Sequence, residues 1–198
     1  MEYRLAPEFK YPTPVDDSYA GLQWVAANGS RLGLDPARIA VGGDSAGGNL
    51  AAVMALLARD RRGPRLALQL LIYPVTNYDF GTPSYRENAT GYLLTTEDMR
   101  WFWRQYLVRE EQGREPNASP LLAKSLADLP PALVITAGCD PLRDEGLAYA
   151  KRLREAGVSV TMTQYPGMFH GFVRMTRILD QSRTLLDEMA GALRKALG

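Results

Sequence analysis

The stretch Gly43-Asp44-Ser45-Ala46-Gly47-Gly48 lies between a strand-like run, Arg38-Ile39-Ala40-Val41, and a helical one, Asn49-Leu50-Ala51-Ala52-Val53-Met54. A chain that passes from strand to helix in so few residues must turn sharply. A serine at such a turn has its hydroxyl pushed out above the end of a sheet. Glycines at 43 and 47 suit the turn, because a Cβ at either is expected to collide with the neighbouring strand or helix. The helix that follows aims its first N–H groups, and the positive end of its dipole, at the same point. The spacing is that of a G-x-S-x-G nucleophile elbow. The bare pattern also fits a glycine-rich turn with Ser45 as helix N-cap, but the strand before it and the small-residue helix after it favour the elbow.

Strand and helix patterns alternate along the rest of the chain. Helices are predicted over 15–27, 47–61, 143–156 and 176–197, and short buried strands over 39–43, 67–73, 132–137 and 158–165. Near-continuous apolar strands separated by helices specify a mostly parallel sheet with helices on both faces, an α/β fold. The 198 residues, 46% hydrophobic and 23% charged, suit one domain spanning 1–198. A formal net charge of +1, with both signs interspersed, offers no surface for nucleic acid. No apolar run approaches the roughly 20 residues that cross a bilayer. Cys139 is the only cysteine, which excludes an internal disulfide. The opening Met1-Glu2-Tyr3-Arg4 also lacks a signal-peptide layout, so a cytoplasmic location is expected. Residues 75–129 are too many for a simple crossover and are rich in aromatics. They read either as a lid or binding wall, or as a helix near 96–108 covering the sheet.

A serine hydroxyl is a poor nucleophile until a base takes its proton, and the base needs a third group to fix its tautomer. The chain holds one histidine, His170, directly after the last predicted strand and therefore at the same sheet edge as Ser45. Asp140 follows the strand that ends Thr136-Ala137-Gly138-Cys139, again at a carboxyl end. Asp144 and Glu145 fall inside the first turn of the next helix, where stabilising a helix N-terminus accounts for them. Asp140 is the better candidate to orient His170. The order Ser45, Asp140, His170 is the one that successive βα units deliver to one edge of a parallel sheet.

With these motifs in hand, the chain resembles the hormone-sensitive lipase-like, GDSAG-bearing bacterial carboxylesterases of the α/β-hydrolase fold. The likeness rests on Tyr3-Arg4-Leu5-Ala6-Pro7-Glu8, Pro14-Val15-Asp16-Asp17, Gly43 to Gly48, Ser119-Pro120-Leu121, Asp140 to Glu145 and His170-Gly171-Phe172. It implies a carboxylic-ester hydrolase for short to medium acyl chains, with Ser45 as nucleophile, His170 as base and Asp140 as its orienting acid. It implies the Ala46 N–H as an oxyanion donor, a partial helical cap within 75–129, and no cofactor or metal. Tyr92, Leu93 and Phe172 are the candidate substrate-binding residues. Tyr3 to Glu8 resembles a segment that ends one strand and braces the floor of the site.

Members of this family run longer on the amino-terminal side and carry an H-G-G-G loop that forms most of the oxyanion hole. No H-G-G-G occurs in this sequence. Losing one oxyanion donor costs about 10²–10³ in turnover, so a weak esterase is expected. The alternative is a non-catalytic binding or interaction module on a partial hydrolase fold. The sheet is expected to keep four strands with 39–43 as an exposed apolar edge, which invites pairing with another chain. A homo-oligomer, or a place within a longer polypeptide, follows from that.

Overall fold

A computed structural model describes residues 1–198. Its elements run α1 (Thr13–Asn28), β1 (Ile39–Asp44), α2 (Ala46–Asp60), β2 (Leu66–Ile72), α3 (Pro83–Glu87), α4 (Thr96–Tyr106), β3 (Ala132–Cys139), α5 (Arg143–Glu155), β4 (Val160–Phe169) and α6 (Asp180–Leu197). The strands form one sheet in the order β1-β2-β3-β4, and every pair is parallel. All four carboxyl ends therefore lie along one edge.

Both faces of the sheet are apolar, and the helices divide between them. Leu71 and Val134 point into a core shared with Leu22 of α1, Val53 and Leu57 of α2 and Leu153 of α5. Leu70, Ile72, Leu133 and Ile135 point the other way, onto Leu185 of α6. Side chains that alternate faces along a strand need a layer on each side, and this is why the strands read as continuous apolar runs.

Three elements depart from the expectations. β4 continues to Phe169, four residues past its predicted end, because the register slips between Ala137 and Cys139 and sets Cys139 opposite Phe169. The strand thereby delivers His170 at its last step. The last helix starts at Asp180, since Phe172–Arg174 form a separate 3-10 turn. Residues 6–9 make a turn and a bend, so the strand ending implied for Tyr3 to Glu8 is absent.

Within 75–129, α4 is set by a capping box. The Thr95 hydroxyl accepts the Asp98 N–H at 3.1 Å, and the Asp98 carboxylate accepts the Thr95 N–H at 3.0 Å. Met99 and Trp103 are buried, while Trp101 and Phe102 stay about half exposed, at 51% and 49%. The helix covers the body of the protein with one stripe only and turns a second aromatic stripe outward.

β1 is an edge strand. A groove of about 510 Å³ runs beside it, lined by Leu22, Trp24, Ile39, Val41, Leu50 and Met54 among others.

Candidate active site

The tight turn expected at Ser45 is present. Ser45 has φ 57°, ψ −118°, a conformation that non-glycine residues adopt only when their surroundings enforce it. Its N–H donates to the Ile72 carbonyl at 2.9 Å, and its carbonyl accepts the Asn49 N–H at 3.0 Å. The elbow is thus tied to β2 on one side and to α2 on the other. A Cβ on Gly43 would overlap the Gly47 backbone. The expectation for Gly47 itself needs correction, because nothing stands within 4 Å of a Cβ there. The crowded position is Gly48, whose Cβ would meet Pro74 at 3.0 Å and the Gly43 carbonyl at 3.1 Å.

Ser45 follows β1, Asp140 follows β3 and His170 follows β4, and the three side chains meet. His170 Nε2 lies 2.9 Å from Ser45 Oγ, and His170 Nδ1 lies 2.8 Å from Asp140 Oδ2. An ionised carboxylate only accepts, so Nδ1 carries the proton and Nε2 presents its lone pair to the serine hydroxyl. Asp140 is fully buried, and its Oδ1 accepts the Leu142 N–H at 2.9 Å. Gly171, beside the histidine, takes the left-handed conformation at φ 84°, which ends the strand and lets the loop turn. Ala46 opens α2, where an amide N–H has no partner within the helix.

An apolar cavity of about 320 Å³ opens beside the elbow. Ala46, Leu50, Val75, Met99, Phe102 and Tyr106 are among its walls. None of the three candidate substrate-binding residues is. Phe172 is 0% exposed and packs in a tilted contact against Tyr165, 5.1 Å between ring centroids, so it belongs to the core and lies away from the solvent a substrate would come from. Tyr92 and Leu93 are exposed. Tyr92 faces Cys139, whose thiol raises its phenol above the usual range, and Leu93 lies next to Gly171. The aromatic richness of 75–129 was the available signal for Phe102 and Tyr106, although it could not say which aromatics face the cavity, and Met99 carried no such signal.

Glu145 also differs from its expected role as a helix-terminus charge. It is 1% exposed, and its Oε1 accepts the Thr76 N–H at 2.6 Å and the Asn77 N–H at 3.1 Å. Desolvation pushes its pKa up to about 8 against the pull of those two donors, and the nearby Asp140 adds to the rise. Asp144 does stay near the helix start, where it accepts the Ser84 N–H at 2.8 Å and pairs with Arg143 at 2.9 Å.

No cluster of three His, Cys, Asp or Glu side chains is arranged to hold a metal ion, and no helix is long and apolar enough to cross a membrane.

A family model described as the alpha/beta hydrolase fold matches residues 1–174. The chain is 45% identical over its whole length to "Carboxylesterase NlhH" of Mycobacterium tuberculosis, of which it covers 63%. It is 40% identical over 98% of its length to "Ethyl acetate hydrolase" of Pseudomonas putida, covering 62% of that protein. Among solved structures, the thermostable carboxylesterase EstE1 from a metagenomic library superposes with a TM-score of 0.96 at 48% identity. That match covers 100% of this chain and 68% of the other. The chain thus spans somewhat under two thirds of the length of these two curated relatives.

Proposed function

The chain belongs to the α/β-hydrolase family, in its hormone-sensitive lipase-like carboxylesterase branch, and on that premise we propose that it hydrolyses carboxylic esters through an acyl-enzyme on Ser45. His170 accepts the Ser45 proton through Nε2 as Oγ attacks the ester carbonyl, then returns it to the departing alcohol. A water follows the same route and releases the acid. Asp140 holds the imidazole in the required tautomer. The Ala46 N–H, at the positive end of α2, donates to the developing oxyanion. The acyl or alcohol group lies in the cavity walled by Val75, Met99 and Phe102. Residues 1–198 act as one catalytic unit, and 75–129 serve as a partial cap. A small ester of short to medium chain is the substrate, and the single cysteine suits a cytoplasmic location.

The observation that carries this reading is the pair of contacts His170 makes, 2.9 Å to Ser45 and 2.8 Å to Asp140. The test is covalent labelling of Ser45 by a fluorophosphonate probe, together with nitrophenol release from a short-chain nitrophenyl ester. Both signals should be lost in Ser45→Ala. An unlabelled wild-type protein would leave the binding-module alternative standing.

Self-association along β1 is part of the same proposal. The strand's outer edge is unpaired, and the groove beside it exposes 55% of Trp24. A second copy pairing edge to edge, or a neighbouring segment of a longer polypeptide, would satisfy the free backbone groups. Light scattering on a sizing column should report a dimer at micromolar concentration, and a clean monomer would refute it.

A further inference from the structure

We propose that Tyr73 is a positioning residue for His170, its buried ring packing on the imidazole and favouring the imidazolium form created when His170 takes the Ser45 proton. This rests on His170 acting as the base. Tyr73 is the first residue after β2 and has φ 33°, a backbone region disfavoured for any residue with a Cβ. Its N–H is held by the Ile135 carbonyl at 2.7 Å, and Pro74 follows it. Held in this way, the backbone directs the side chain under the catalytic loop. The two ring centroids lie 4.5 Å apart, with the planes 52° from parallel. At 1% exposure the ring has no access to a substrate, so any effect on the reaction passes through His170.

Other groups around the imidazole act differently. Asp140, from the end of β3, and Ser45, from the elbow, engage its two nitrogens in the ring plane. Tyr73 instead packs ring against ring in a tilted contact, 4.5 Å between centroids. Asp44 Oδ2 lies 3.4 Å from the Tyr73 phenol oxygen and is paired with Arg174 at 3.0 Å. Burial raises the Tyr73 phenol above its usual range, so it stays neutral. The face of an aromatic ring carries partial negative charge and attracts a cation within about 6 Å, whereas a neutral imidazole gains little from it. The contact therefore strengthens as the proton arrives, which is when catalysis needs it.

Because His170 is the only histidine, its ring resonance in a proton NMR titration is unambiguous. Tyr73 is replaced by phenylalanine and then by phenylalanines of increasing fluorination, which keep the ring's shape and drain the charge from its face. The His170 protonation midpoint should fall stepwise, by about 0.5 pH unit across the series, or roughly three-fold in acid dissociation constant. The fluorophosphonate labelling rate of Ser45 should fall in parallel. Tyr73→Phe should match the wild type, and a folded Tyr73→Leu should match the most fluorinated ring. A purely structural role for Tyr73 predicts no trend with fluorination, and a flat midpoint across the folded series overturns the proposal. Should wild-type Ser45 resist the probe, the hydrolase reading falls while the NMR midpoint still decides Tyr73.

Discussion

Asp140→Asn is expected to slow the acylation of Ser45 by about 10⁴-fold with little change in stability, the scale seen when the acid of a serine triad becomes an amide. The hydrogen bonds around the residue supply the reason. Asp140 Oδ1 accepts the Leu142 N–H at 2.9 Å, so an asparagine must turn its oxygen toward that donor. Its NH₂ group then faces His170 Nδ1, which has to accept. The ring proton moves to Nε2, the atom 2.9 Å from Ser45 Oγ, and the base can no longer take the serine proton. Stopped-flow labelling with the fluorophosphonate measures the loss, and circular dichroism checks the fold. A loss of less than ten-fold would remove Asp140 from its orienting role.

Gly138→Ala is expected to be the most damaging small substitution in the sheet. A Cβ at 138 would overlap the Pro166 carbonyl, which is backbone and has no rotamer in which to retreat. Overpacking typically costs about 1–3 kcal/mol, and a backbone neighbour that cannot retreat puts this site at the upper end. β3 and β4 must separate where one is about to deliver Asp140 and the other His170, so ester hydrolysis should fall together with the urea midpoint. Gly191→Ala provides the contrast. It lies within α6 with nothing inside 4 Å of its Cβ, and alanine there should stabilise by up to about 1 kcal/mol. Similar midpoints for the two variants would mean that the close approach of β3 and β4 is not what Gly138 serves.

Much of this architecture was legible in one dimension. The four strands and the helices α1, α2, α5 and α6 showed as apolar runs and helical stripes because burial on two faces, or on one, leaves a local period. The five-residue α3 showed none, and α4 was one of two readings of 75–129. Three reactive residues each stood at a strand's carboxyl end, and a parallel sheet sends all such ends to one edge. Ser45, Asp140 and His170 could therefore be grouped without coordinates. The residues that wall the cavity could not. Phe172 follows a left-handed Gly171, and that turn folds it back into the core. Tyr92 and Leu93 sit outside the cavity that Met99 and Phe102 line.

Sequence alone determined the four strands, their parallel sheet and the edge where the chemistry gathers, since turn geometry and periodicity are properties of neighbouring residues. Tertiary structure decided which side chains close around that edge. Glu145 is buried because Thr76 and Asn77, 69 and 68 positions away, bring their amides to it. Tyr73 meets His170 only because β2 and β4 flank β3. Contacts between residues so far apart leave no periodic trace, because they depend on how whole elements pack and not on what adjoins them in the chain.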